Sequence, residues 1–292
     1  MEVRVRRFLL DRDEETMDLL EAMNTEYRLS KLWLVASFVL TVPFYLCLLL
    51  AALMSGPPVK WVTFAAFTLQ LLMNFSRIRS GVHYSLGESV RRPAMLQTGL
   101  GINISQVSVA KMTAKYGIAF KGEAIRSEKY YESSSVLGLR KLTEITLESA
   151  FWTAELAGRM AGLLKSMLLV VGVILGVSVL AILQAGLMGT QSQVLAKIYM
   201  ITITVWCAGD LWVLWRKYDS LANGVQKVLA DCEGILSRSE IGYDALFAFG
   251  DYNCCLAAAA VIPDFIYRRN RKRLNEAWGS RNNLNAASPK TG

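Results

Sequence analysis

Two uncharged runs set the terms for everything else in this chain. Residues 32–54 read "LWLVASFVLTVPFYLCLLLAALM" and residues 166–188 read "SMLLVVGVILGVSVLAILQAGLM", each 23 residues with no acid, base or histidine. A helix needs roughly 20 apolar residues to cross about 30 Å of hydrocarbon, so both are long enough to span. Two shorter runs follow them. "WVTFAAFTLQLLMNFSRI" (61–78) and "IYMITITVWCAGDLWVLW" (198–215) carry polar groups within their apolar stretches. The simplest arrangement is four spans in two transmembrane hairpins. The balance of 53% hydrophobic to 19% charged residues agrees with it, since soluble domains carry about 25% charged residues.

Connection length and charge then set the orientation. "SGPPVK" joins the first two runs and "GTQSQVLAK" the last two, with one lysine each. Most of the remaining basic residues lie outside the runs: "RVRR" in the N-terminal arm, "RIRSGVHYSLGESVRR" around the end of the second run, "RRNRKR" in the tail. Positive charge stays on the cytoplasmic side, so both termini and the central region are expected inside and the two short turns outside. The net charge of +8 follows from this arrangement; its natural partner is anionic lipid, and it implies no DNA or RNA. The first run begins only after a polar arm and lacks a small-residue cleavage site, so no secretory signal is expected. The five cysteines show no paired spacing and read as small apolar fillers.

The expected fold is therefore an all-α integral membrane protein with a mainly helical cytoplasmic domain. Residues 1–31 form a cytoplasmic amphipathic helix, with Met17, Leu20, Met23 and Tyr27 at helical spacing. Residues 32–78 are the first hairpin and 79–165 a cytoplasmic insert. Within the insert, "GESVRRPAMLQTGLG" continues the second span and breaks near Pro93 or Gly99. Residues 102–120 fit either a strand or a helix. "LRKLTEITLESAFWTAELAGRMAGLL" is a helix with Leu142, Ile145, Ser149, Trp152, Leu156 and Met160 on one stripe, leading into the third span. Residues 166–215 are the second hairpin, 216–278 a helical tail, and 279–292 a disordered end. The apolar stretch 254–262 is too short to cross and reads as a buried or interfacial helix.

Catalytic chemistry finds little footing. The single histidine, His83, has no cluster of ligands around it in sequence, and neither GxSxG nor GxxxxGK[ST] occurs. No enzyme activity, metal or cofactor is expected. Asp210 is the polar residue that asks for an explanation, being set in an apolar helix about 8 Å from the inner boundary. Either it is hydrated or paired with Arg77, Arg79 or Arg216, or it lines a polar seam with Gln70 and Asn74 of the second span. In an oligomer such a seam becomes the wall of a pore. A second candidate is "RSEKYYESS", where Arg126, Lys129, Tyr130 and Tyr131 combine cations that hold phosphate with rings that stack a base. A solvated loop with its tyrosines turned inward is the plainer alternative.

The layout, with "YYESSSVLGLRKLTEITLESAFWTAELAGRM" in the insert and "DYNCCLAAAAVIPDFIYRRNRKRLNEAW" in the tail, resembles the SMODS-associated four-transmembrane effectors of bacterial anti-phage systems. The resemblance implies an inner-membrane effector that senses a cyclic oligonucleotide and then disrupts the membrane, killing the infected cell. Thirteen Lys and Arg between Arg77 and Lys165 suit a polyanionic ligand. Four spans cannot readily enclose a wide aqueous path, so disruption would require a homo-oligomer. A membrane scaffold binding a cytoplasmic protein, or a small constitutive channel, is the alternative.

Overall fold

The computed structural model describes residues 19–53, 58–102, 131–186 and 191–287, with single positions at 105, 107, 110, 111 and 114; over 19–20, 48–49, 51–53, 174–175, 177–186, 191–208 and 282–287 it describes the backbone alone. Its described elements are six helices and no strand: α1 (Leu19–Leu53), α2 (Pro58–Leu100), α3 (Leu139–Gly186), α4 (Gln191–Leu236), α5 (Asp244–Ala257) and α6 (Asp264–Ala287). α1 pairs with α2, and α3 with α4, in two long hairpins. Among the described residues two stretches are long and apolar enough to cross a membrane, Glu21–Cys47 and Leu139–Val173.

That count is two where four were expected. The run 61–78 falls short because Gln70, Asn74 and Arg77 lie within it and lower its mean hydropathy. The run 198–215 falls mostly where only the backbone is described. In the second stretch that qualifies, charge is concentrated early: Arg140, Lys141, Glu144, Glu148, Glu155, Arg159 and Lys165 all precede the uncharged run at 166.

Helix continuity differs from the expected division in several places. α1 runs unbroken through residue 31, so the described part of the N-terminal block and the first apolar run are one 35-residue helix. α4 likewise carries the fourth run into the tail without a break at Arg216. Pro93 does not stop α2, which is 43 residues long. It ends at Leu100, beside Gly99, the second of the two expected break points, and there Gly101 takes a left-handed φ of 70° and donates to the Gln97 carbonyl at 2.9 Å, a turn that only glycine adopts at no steric cost. The apolar stretch 254–262 is not one helix: α5 stops at Ala257 and an irregular turn follows before α6. The end expected to be disordered from residue 279 is helical to Ala287, held where Arg281 Nε donates to Glu233 at 2.8 Å. At residues 107, 110, 111 and 114, within the ambiguous segment, the backbone is helical.

The main core lies between α3 and α4 and is roofed by α5 and α6. Ala150, Ala154, Ala157 and Ala161 recur at intervals of three and four along α3, so they share a face, and their small side chains admit a close neighbour. Tyr218, Leu221, Val225, Val228, Leu229 and Cys232 of α4 join the same core. The buried face is thus centred on the alanines. Of the expected stripe, Leu142, Ile145 and Met160 are buried, while Trp152 and Leu156 sit at its edge. A smaller cluster of Phe44, Ala66 and Met73 joins α1 to α2 higher up.

Candidate functional site

Two polar centres lie where the hairpins and the α5–α6 pair converge. The upper one holds Asp210. Arg77 Nη1 of α2 donates to Asp210 Oδ2 of α4 at 2.7 Å, with the side chains 22% and 31% exposed. The pairing expected as one option for Asp210 is the one that forms, with Arg77 as the cation. Gln70 and Asn74 bond to each other, Nε2 to Oδ1 at 3.4 Å, one to two turns up the same helix. Around the ion pair lies a cavity of about 190 Å³ lined by Leu34, Ser80, Tyr84, Lys217 and the turn at Ala259–Val261, among others. α1, α2, α4 and the turn between α5 and α6 therefore all contribute to this wall.

The second centre, one to four turns below Arg77 along α2, is buried. Glu88 accepts from the Tyr27 hydroxyl of α1 and from Arg91 Nε at 2.9 Å. Arg91 also donates through Nη2 to Asn253 Oδ1 of α5 at 2.9 Å and lies 4.9 Å from the centroid of the Tyr252 ring. Tyr252 in turn shares a 3.0 Å bond with Thr153 of α3. Burial works against the Arg91 charge, but Tyr252 and Glu88 beside it outweigh that, and the net shift is upward. Burial, with Glu88 beside it, pushes the Tyr84 phenol well above its usual range, so it stays a neutral donor to the Leu256 carbonyl at 3.2 Å. Ser30 and Ser80 exchange hydroxyl bonds across α1 and α2. His83, given no role from sequence, is 2.7 Å from Glu26.

Glu88, Arg91, Tyr252 and Asn253 were not singled out by sequence reasoning. A signal was present: Ser80, Tyr84, Glu88, Arg91 and Met95 follow one another at intervals of three or four on α2, which puts an acid and a base on the face that also carries Tyr84 and Met95.

The segment proposed to meet a nucleotide emerges from a closed base. Gly138 donates to the Gly99 carbonyl at 2.8 Å, which brings together the end of α2 and the start of α3. Arg126, Lys129 and Tyr130 lie outside the described residues. Tyr131 is described and packs its ring against the main core. The strand of chain after it is strapped to α3: Ser133 and Ser135 donate to Glu144 at 2.6 and 2.9 Å, and the Glu132 amide to Glu148 at 3.1 Å. Trp278 of α6 donates to the Glu132 carboxylate at 2.8 Å. Beside this strap an open cleft of about 490 Å³ is lined by Ser135–Arg140 with Ser239 and Ile241.

Comparison with protein-family models, with curated proteins and with solved structures finds no match to this chain.

Proposed function

We propose that the chain is a four-span inner-membrane effector, N- and C-termini cytoplasmic, that detects a cyclic nucleotide through its cytoplasmic region and permeabilises the membrane as an oligomer. The observation that carries the membrane part is a belt of exposed apolar side chains on both hairpins. Val39 is 64% exposed, Trp61 77% and Leu169 67%, with Val42, Phe64, Ile78, Val170, Val173 and Trp212 also open. Water does not tolerate a surface of this extent without a partner, whereas lipid tails do. Below the belt, polar side chains take over the exposed faces of the same helices.

The cytoplasmic region is suited to act on the membrane because nothing flexible separates them. α1, α2, α3 and α4 each cross the inner boundary as one helix, so a displacement at the Gly99–Gly138 base reaches the hairpins through rigid rods. The cleft beside Arg140, whose lining begins a few residues after Arg126, Lys129, Tyr130 and Tyr131 in the sequence, is where a polyanionic ligand would gain most. Asp210 and Arg77 then form a tie between hairpins that opening must break.

Depolarisation of the inner membrane in cells making this chain, with and without an active cyclic-oligonucleotide synthase, tests the proposal. Depolarisation only with the synthase is expected; depolarisation in both conditions points to a constitutive channel, and in neither to a scaffold. The scaffold reading has one observation of its own: Tyr243 and Phe247, one turn apart at the start of α5, are widely exposed, as an anchor for a partner protein would be.

A further inference from the structure

The cavity beside Asp210 is larger than the ion pair needs, and the pair leaves it half used. Arg77 makes one bond to Asp210, through Nη1, in place of the two-pronged fork that guanidinium and carboxylate can form. Its Nε is buried with no partner, an arrangement that costs stability unless something else offsets it. Lys217, exposed, lines the same cavity. The hydroxyls on the wall are already committed, Ser80 to Ser30 and Tyr84 to the Leu256 carbonyl. What remains for a ligand is therefore two cations steadied by one carboxylate.

Position narrows the ligand. Arg77 is next to the last residue of the run 61–78, and Lys217 is two residues past the run 198–215, so the cavity lies at the depth of the inner headgroups. Trp212 and Trp215, whose rings are 4.7 Å apart, stand on α4 at the same level, as aromatic residues do at a membrane interface. Val213 on its wall is 53% exposed, so the cavity has an apolar side chain on its rim.

We infer that this cavity is a binding site for the headgroup of an anionic phospholipid, its phosphate held by Arg77 and Lys217 and its headgroup hydroxyls donating to Asp210. A phosphoglycerol headgroup satisfies both signs of charge: the phosphate meets the cations, and neutral hydroxyls meet the carboxylate without repulsion. The lipid would seal the junction of the two hairpins and favour the state in which Arg77 and Asp210 are paired. This rests on the membrane reading above.

The test uses the full chain in nanodiscs of phosphatidylcholine alone or with a fraction of phosphatidylglycerol or phosphatidylethanolamine, with the unfolding midpoint as readout. Phosphatidylglycerol is expected to raise the midpoint by about 2–4 °C over the other two. Lys217→Gln, which leaves the Arg77–Asp210 bond in place, is expected to remove most of that gain. So is Gly81→Val: Gly81 is on the cavity wall with nothing within 4 Å of its would-be Cβ, so the added side chain has room and takes up space there. Equal midpoints in all three lipids, or a gain that survives both variants, overturns the site. A gain from inorganic phosphate or glycerol phosphate in phosphatidylcholine discs overturns the lipid as its source. Carbonate extraction separates the two levels: a chain that stays in the pellet but ignores headgroups loses only the site, while a chain released without detergent loses the membrane reading as well.

Discussion

Arg91 and Asn253 are 162 residues apart in the chain and 2.9 Å apart in space. That bond ties the C-terminal half of α2 to α5, and Glu88 completes it by holding the same guanidinium from one turn earlier on α2. Between them they lock the two halves of the molecule into one register.

Removing one charge from this centre should cost far more than removing both. Glu88→Gln leaves Arg91 buried with its charge uncompensated, an effect of about 3–5 kcal/mol. Glu88→Met with Arg91→Met replaces the pair by side chains of similar volume and should lose much less than the two single losses together. Chemical denaturation of the purified chain in detergent, run as a double-mutant cycle, measures both. Additive single losses would show that the two residues do not act as a pair.

Stability should fall as pH rises through the window set by Glu148. Burial pushes its carboxyl up from 4.5 to about 7, against the pull of the Glu132 amide and helped by the nearby Glu132 charge. A carboxyl raised in the folded state binds a proton there that it lacks when unfolded, so the folded state gains below 4.5 and loses that gain as pH climbs to about 7. The loss is local, where the strap from Glu132 to Gly138 leaves α3. Melting temperatures across this range should slope downward for the native chain, and Glu148→Gln should flatten the slope. An unchanged slope in the variant would assign the pH dependence elsewhere.

How much of this was legible in the sequence follows from the range of the forces involved. Uncharged length and helical period are local properties, so the long helices, part of the apolar face of α3 and the placing of Asp210 near a cation could be read directly. The Asp210 partner was one of three candidates, and choosing Arg77 needed the packing of α2 on α4. Of the two expected break points the helix ends beside Gly99 and passes Pro93, whose ring removes one backbone bond and crowds the preceding turn, a cost that the burial of Ala94 and Met95 on the same turn overrides. The network of Glu88, Arg91 and Asn253 was missed because its members meet only once α5 folds back. Asn253 and Cys254 are neighbours in the sequence, yet one is buried and bonded and the other exposed.

That difference predicts two rates of thiol modification. Cys254 is exposed, while Cys232 is fully buried and its thiol is pushed up to about 12 by burial, with Asp231 and Glu233 adding to the effect. Thiolate is the reactive form. Maleimide should therefore label Cys254 readily at neutral pH and reach Cys232 only after denaturation, as peptide mass spectrometry of the labelled chain can show. Comparable labelling of both in the folded chain would contradict the packing of α4 against α3.

Two glycine substitutions should move stability in opposite directions. A Cβ on Gly99 would come within 2.9 Å of the Leu142 backbone, where nothing flexible can yield. Gly99→Ala should cost about 1–3 kcal/mol and loosen the base from which the candidate ligand segment emerges. Gly158 is an exposed position in α3 whose Cβ would sit an ordinary 4.0 Å from Ala222. Gly158→Ala should gain roughly 0.5–1 kcal/mol from the lower entropy of the unfolded chain. Denaturation midpoints of the two variants check the pair of signs.

The tie between Arg77 and Asp210 should control leakage as well as stability. The pair is only partly exposed and joins one hairpin to the other, so Asp210→Asn removes a charged bond worth about 1.5–3 kcal/mol and leaves the guanidinium facing the cavity alone. If opening requires this tie to break, the variant should depolarise cells at a lower dose of the activating signal, or without any. The exchange of Arg77→Asp with Asp210→Arg restores attraction across the same gap and should recover much of the native threshold. Asp210→Asn cells that depolarise no more easily than cells with the native chain would make this carboxylate a structural residue at the boundary and remove it from the gate.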